Sequence, residues 1–223
     1  DVEMLKEFDE VILASGIKPR MPKIEGIDHP KVLSYLDVLK HKKEVGKKVA
    51  IIGAGGIGFD VAEYITHEGE ATSQNLASFL KEWGIDGTNE ARGGIEGITA
   101  QVTPSPREVV LLQRKETKIG AGLGKTTGWI HRISLKNKSV KMINGVQYDK
   151  IDDNGLHITR KGKAQIMDVD TIILCAGQLS NTDLLLGLEN AGVNTHIIGG
   201  AERAGELDAK RAIEQGSKLG AIL

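Results

Sequence analysis

Three glycines define the first chemistry to look for in this chain. In residues 47–60, KKVAIIGAGGIGFD, the apolar run Val49–Ile52 leads into Gly53-x-Gly55-x-x-Gly58. A strand, a glycine turn and a helix in that order are what a dinucleotide pyrophosphate needs. Gly53 permits the tight turn, Gly55 lets the backbone approach the phosphates, and Gly58 lets the helix pack closely on its strand. Ala54, Gly56 and Ile57 complete the turn, and the helix start aims N–H groups and positive dipole at the phosphates. The other reading is a glycine-rich surface turn with no ligand; the flanking strand and helix patterns favour the dinucleotide.

The next strand, Val109–Leu112, ends in Gln113-Arg114-Lys115, with no carboxylate before Glu116. An acidic residue at such a strand end binds a ribose 2′-OH, whereas a basic one accommodates a 2′-phosphate. Arg114 offers a planar fork and Lys115 a point charge, so NADP(H) is expected over NAD(H). A solvated basic strand end is the alternative. Trp129 and His131, after the glycine-rich segment 120–128, are candidate neighbours of a nicotinamide or substrate, against the plainer role of core or rim packing. Gly124-Lys125-Thr126-Thr127 lacks the strand and spacing of a P-loop, which excludes a nucleoside triphosphatase. The histidines 29, 41, 67, 131, 157 and 196 show no metal-ligand spacing, so no metal site is expected. Cys175 reads as an inert residue buried within a strand.

Composition narrows the class further. The 223 residues carry a net charge of −1 and are 40% hydrophobic. That balance speaks against a nucleic-acid partner. No apolar run reaches the roughly 20 residues that a membrane span needs, so no membrane partner is expected. A single cysteine suits a reducing cytoplasm and cannot by itself hold an iron–sulfur cluster. The first residues enter a buried strand almost at once, as expected of a fragment cut from a longer polypeptide.

The elements that must position these groups follow from the apolar pattern. Phe8–Gly16 and its near copy Val169–Gly177 both run from an acidic residue through aliphatics to small residues. Small residues at strand ends let chain or ligand come close to the sheet, which makes Ala176 and Gly177 candidates for NADPH. Ser34 is expected to cap a short helix through Leu39. Residues 66–107 read as an insertion between the first helix and the second strand, with Ser73 capping a helical stretch through Leu76, Phe79, Leu80 and Trp83. Trp129–Leu135 reads as helix and 140–170 as a β-meander with turns at 153–155 and 161–163. A last short strand spans 192–200. A final helix from about Leu207 to Leu219 gathers Ala209, Ala212, Ile213 and Gly216 on one face.

Together, the Ala-Ser-Gly strand end, GAGGIGFD, LLQRK, CAGQ and IGGAERAGELDAKRAI resemble the two-dinucleotide flavoprotein reductases. SYLDVL at 34–39, TSQN at 72–75 and GLGKTTGWIHR at 122–132 look like the carboxyl-terminal part of the bacterial NADPH-dependent 2,4-dienoyl-CoA reductases within that group. The resemblance implies an α/β fold, a Rossmann-like three-layer NADPH-binding domain with a β-meander, inserted in a partial FAD-binding domain. It implies the end of a first FAD segment at 1–30, an NADPH domain at 31–175 and a closing FAD segment at 176–223. Ala14, Ser15 and Gly16 would lie beside FAD, Gly199 and Gly200 near its pyrophosphate or ribityl chain, and Glu206, Leu207 and Asp208 would open a helix aimed at the flavin. Gly200 stands where many such proteins have an aspartate, so contacts there would be through backbone. FMN and a [4Fe-4S] cluster would belong to a missing amino-terminal part of the same polypeptide, the expected partner. Hydride transfer between nicotinamide and flavin needs no acid–base residue, and none is named. The implied activity is reduction of 2,4-dienoyl-CoA in unsaturated fatty acid β-oxidation. The alternatives are a non-catalytic adenine-nucleotide module, as in amine-dehydrogenase-like flavoproteins, and an enoate reductase.

Overall fold

The computed structural model describes residues 1–205 and 209–223; Glu206, Leu207 and Asp208 lie outside the described residues. In chain order the strands are β1 (Glu10–Leu13), β2 (Ile17–Pro19), β3 (Val32–Ser34), β4 (Lys48–Ile52), β5 (Glu108–Leu112), β6 (Lys141–Ile143), β7 (Val146–Asp152), β8 (Gly155–Arg160), β9 (Lys163–Met167), β10 (Thr171–Leu174), β11 (Gln178–Ser180) and β12 (Asn194–Ile197). The helices are α1 (Val2–Leu5), α2 (Tyr35–Leu39), α3 (Gly56–Thr66), α4 (Leu76–Trp83), α5 (Gly128–Asn137), α6 (Leu185–Asn190) and α7 (Ala209–Gly220). Two compact units result: residues 21–176, and residues 1–20 together with 177–223.

The larger unit is built on a parallel sheet in the order β3-β10-β4-β5-β6. Side chains alternate across a strand, and here both faces are covered, so β4 is apolar along nearly its whole length. Val49 and Ile51 point to the face where Phe59, Ala62 and Ile65 of α3, Val38 of α2 and Leu135 of α5 pack. Ala50 and Ile52 point to the other face, against Val146, Ile151, Leu156 and Ile158 of the β7-β8-β9 meander. Helices, parallel sheet and meander make three layers, the Rossmann-like α/β arrangement. Residues 21–30 pack with this unit: Ile24 is buried in the meander-side core, and Ile151 N–H donates to the Glu25 carbonyl at 2.8 Å.

Several local expectations need correction. Residues 141–143 join the parallel sheet beside β5, and the meander starts only at Val146. The pairing is set by β5, whose Val110, Leu111 and Leu112 register with Lys141, Met142 and Ile143. In 66–107 the cap of α4 is Asn75, whose side chain accepts the Ser78 N–H at 3.1 Å; Ser73 sits in a 3-10 turn, Thr72–Gln74. Asn accepts at the third N–H with β-region backbone, the geometry a cap requires. The insertion contributes no strand among the described residues, and Arg107 ties its end back by donating to the carbonyls of Val45 and Ile65 at 3.3 and 2.9 Å.

The smaller unit holds a parallel pair, β1 with β12, and an antiparallel pair, β2 with β11. Val11, Leu13 and Leu188 form its core, with Val2, Leu5 and Val193 packed around them. Of the expected α7 face, Ala212 and Ile213 are exposed, Ile213 at 66%. Gly216 of that face is half-buried as expected, beside Arg211, Gln215 and Leu219, which the pattern did not pick out.

Ser34 caps α2 as expected, through a reciprocal box. Its hydroxyl accepts the Asp37 N–H at 3.1 Å, and the Asp37 carboxylate accepts the Ser34 N–H at 2.8 Å. Lys43, 2.7 Å away, and then Ser34 hold the Asp37 carboxyl down at about 2. Ser34→Ala should therefore cost about 1 kcal/mol in equilibrium unfolding. A lowered carboxyl contributes stability that is full above its ordinary value of 3.8 and is lost as pH falls through the folded value. The advantage of wild type over Asp37→Asn should shrink as pH drops from about 4 to about 2, and a gap that stays constant over that range contradicts the assignment.

Candidate dinucleotide site

The glycine turn sits at the carboxyl end of β4, between β10 and β5 in the middle of the parallel sheet. Open α/β sheets bind ligands outside such strand ends. Gly53 has φ +112°, and its N–H donates to the Leu112 carbonyl at 3.0 Å. A Cβ at Gly53 would overlap the Cys175 carbonyl and come within 3.0 Å of the Ala176 nitrogen. A Cβ at Gly58 would overlap the Gly53 carbonyl oxygen. These two glycines answer to packing. Gly55 and Gly56 differ: both are exposed, and a Cβ on either would meet nothing within 4 Å. They leave open space in front of the α3 N-terminus, whose Gly55 cap provides no side-chain hydrogen bond. The first N–H groups of an 11-residue helix thus face a cradle with room for an anionic group, as a pyrophosphate requires. Ala54 is buried behind the turn and Ile57 packs partly against the helix-side core.

β5 runs beside β4, so its end carries Gln113, Arg114 and Lys115 along the same edge of the sheet. Arg114 and Lys115 are exposed. Gln113 folds back, its side-chain amide donating to the carbonyls of Lys115 and Thr117 at 3.0 and 2.8 Å. Tyr148 of β7 lies near enough to Arg114 to sense its charge. Burial pushes the Tyr148 phenol up, and the guanidinium opposes that shift.

The remaining nucleotide candidates separate. Ala176 abuts Gly53 in the larger unit, whereas Gly177 belongs to the smaller unit and packs against the Arg20 guanidinium. Cys175 lies just past the end of β10, not in mid-strand, and burial pushes its thiol up to about 12. That is an unreactive thiol. His131 Nδ1 pairs at 2.8 Å with Glu63, far along α3 from the glycine turn. Trp129 is 51% exposed, and its indole N–H donates to the Thr126 carbonyl at 2.9 Å. Sequence reasoning passed over Glu63 and Tyr148, and the Asn144-Gly145 turn that pairs with the end of β5; the Asn-Gly dipeptide was a readable signal for that turn.

In the smaller unit the β1–β12 pairing, Leu13 opposite Ile197, brings Ala14–Gly16 beside Gly199 and Gly200. A Cβ on Gly200 would come within 3.1 Å of the Gly16 backbone, so the two small-residue strand ends pack directly. The Ser15 hydroxyl donates to the Asn181 carbonyl at 2.6 Å, and Gly199 N–H donates to Gln215 of α7 at 2.7 Å. Among the described residues no group of three or more His, Cys, Asp or Glu is placed to hold a metal ion, and no helix is long and apolar enough to cross a membrane.

Comparison with known proteins gives a consistent neighbourhood. A family model described as pyridine nucleotide-disulphide oxidoreductase matches residues 3–207. The metal reductase of Desulforamulus reducens is 25% identical over 195 residues, covering 87% of this chain and 28% of that protein. The cinnamate reductase of Clostridium sporogenes is 28% identical over 203 residues, covering 90% of this chain and 25% of that protein. The chain thus spans about a quarter of the length of these relatives. Among solved structures, 2-naphthoyl-CoA reductase in complex with 2-naphthoyl-CoA superposes with a TM-score of 0.74 at 23% identity, covering 98% of this chain and 28% of that one. At that identity the likeness shows the fold.

The two kinds of glycine should part on substitution. Gly55→Ala should cost no more than about 1 kcal/mol of unfolding stability, the penalty for alanine at an N-cap, since its Cβ meets nothing, yet weaken ADP binding about tenfold by crowding the cradle. Gly58→Ala should lose both binding and stability. Calorimetry with ADP and denaturant unfolding on the same samples separate the outcomes.

Proposed function

The chain belongs to the pyridine nucleotide-disulphide oxidoreductase family, and from that premise we propose that it holds NADPH for a larger flavoprotein reductase acting on a conjugated acyl-CoA of the 2,4-dienoyl-CoA type, in unsaturated fatty acid oxidation. Family membership implies FAD and NAD(P) binding and makes the chain a flavoprotein oxidoreductase domain. The finer assignment rests first on one observation: an open, uncapped glycine cradle at β4–α3 with the basic end of β5 on the strand next to it.

In this proposal the N–H groups at the start of α3 hold the pyrophosphate over Gly55 and Gly56. Arg114 and Lys115 take the 2′-phosphate. Ala176, tucked against Gly53, sets the floor of the cradle. When bound, the reduced nicotinamide supplies a hydride and the flavin accepts it. The chain's own contribution is positioning and charge. A charged hydrogen bond from Arg114, worth about 1.5–3 kcal/mol, corresponds to a preference of about ten- to a hundredfold for NADP(H). The smaller unit would offer Ala14, Ser15, Gly16, Gly199 and Gly200 to FAD. Glu206, Leu207 and Asp208, also assigned to FAD, lie outside the described residues. The proposal places FMN and an iron–sulfur cluster in an amino-terminal part of the same polypeptide, the working partner of this chain.

Two relatives support the substrate class by their chemistry. One is named for reducing cinnamate, a conjugated acid, and one, alike in fold, is named for an aryl-CoA thioester and seen in complex with it. The first favours, as a second reading, a free enoate in place of a thioester. The non-catalytic adenine-nucleotide module remains the rival from a different class, and it predicts that ADP binds as well as NADPH.

Calorimetric titration of the chain with NADPH, NADH and ADP at one salt concentration should show NADPH binding at least tenfold tighter than NADH. Arg114→Ala should erase the difference and leave NADH unchanged. Equal affinity for all three ligands in wild type favours the non-catalytic module.

A further inference from the structure

The end of β5 is anchored, and the anchor comes from the turn between β6 and β7. Gln113 N–H donates to the Ile143 carbonyl at 2.9 Å, Val146 N–H to the Gln113 carbonyl at 3.1 Å and Gly145 N–H to the Lys115 carbonyl at 3.1 Å. The Asn144 side-chain amide donates to the Glu116 carbonyl at 2.7 Å. Backbone carbonyls on both sides of Arg114 are therefore fixed, while the Arg114 and Lys115 side chains stay exposed.

Asn144 is in turn gripped by Arg160 at the end of β8. Arg160 Nε donates to the Asn144 carbonyl at 2.9 Å, and a terminal nitrogen donates to Asn144 Oδ1 at 3.2 Å. Arginine can only donate, so the Asn144 amide oxygen must face Arg160 and its NH2 must face the Glu116 carbonyl. The fork of Arg160 sets the orientation that the β5 anchor uses. Both residues are half-buried, and the meander that supplies Arg160 is the layer already packed under the sheet.

We propose that Asn144 and Arg160 are positioning residues for coenzyme selection, fixing the backbone from which Arg114 and Lys115 meet the 2′-phosphate of NADP(H). This rests on the NADP(H) assignment above. A long basic side chain on a loose loop loses conformational freedom when it closes on a phosphate. Anchoring its backbone beforehand removes part of that cost, and only a ligand bearing the 2′-phosphate benefits. The clamp therefore acts on the preference between coenzymes and leaves adenine-nucleotide binding in general alone.

The test is titration of the 223-residue chain and its Asn144→Ala, Arg160→Ala, Arg160→Lys and double-alanine variants with NADPH, NADH and ADP. Each alanine variant should lower the ratio of NADPH to NADH affinity by about tenfold, or ~1.4 kcal/mol, with NADH and ADP within about twofold of wild type. The double variant should be no worse than either single one, because the two residues act as one device. Arg160→Lys, which keeps the charge but lacks the fork, should fall between. An unchanged ratio in Asn144→Ala overturns the inference, as does an equal weakening of all three ligands, which marks a role in folding alone. A wild type that binds NADPH and NADH equally overturns the specificity assignment itself and the clamp with it.

Discussion

Helix α3 can start where it does because Gly58 has no side chain. Its backbone lies so close to the Gly53 carbonyl that any Cβ would overlap it, and Gly53 in turn lies against the carbonyl of Cys175. This double close approach seats the helix on β4 and fixes where its first N–H groups point. Phe59, Ala62 and Ile65 then fall on the sheet side of α3 and are buried. Burial of Phe59 and of Ile65 contributes about 1.5–3 kcal/mol each, and the Ala62 methyl less. The packing that stabilises the unit and the cradle that accepts a phosphate are consequences of the same contact. Gly55 and Gly56, one step along the chain, carry none of that packing and leave the cradle open.

The sheet also explains why a nucleotide domain of this kind carries a meander on its far face. β4 is apolar on both sides, so Ala50 and Ile52 need cover opposite the helices, and the β7-β8-β9 sheet supplies it with Val146, Leu156 and Ile158. Once there, the meander starts beside the end of β5, and Asn144 and Arg160 connect the two layers by hydrogen bonds. A layer placed for hydrophobic cover is thereby in position to order the basic strand end.

The sequence made the main elements legible where period and turn chemistry agreed. The apolar run before Gly53, the Ser34 cap and the meander turns at 153–155 and 161–163 carry unambiguous local signals, and the strands and α2 form there. Lys141–Ile143 did not declare its place, because a three-residue strand has too little period to separate parallel from antiparallel pairing. In α4, Ser73 and Asn75 are both good caps, and tertiary geometry chose between them. On α7 the pattern located Gly216 and misled at Ala212 and Ile213, because small and apolar residues on one side of a helix read as packed whether or not anything covers them. At the site, the glycines were readable from spacing. The Glu63–His131 pair and the clamp of Asn144 by Arg160 were not, since residues 68 and 16 positions apart meet only through the fold.

The most direct test of the account is the ionisation of the 2′-phosphate itself. Phosphorus NMR of NADPH bound to the chain can follow that resonance through its second ionisation, which lies near pH ~6 in a free monoester. Arg114 and Lys115 favour the doubly charged form, so the bound phosphate should titrate about a unit lower than free NADPH and return toward the free value in Arg114→Ala. A bound coenzyme whose pyrophosphate signals shift while the 2′-phosphate titrates as it does free in solution would contradict the account, for the cradle would then be filled without the basic end of β5.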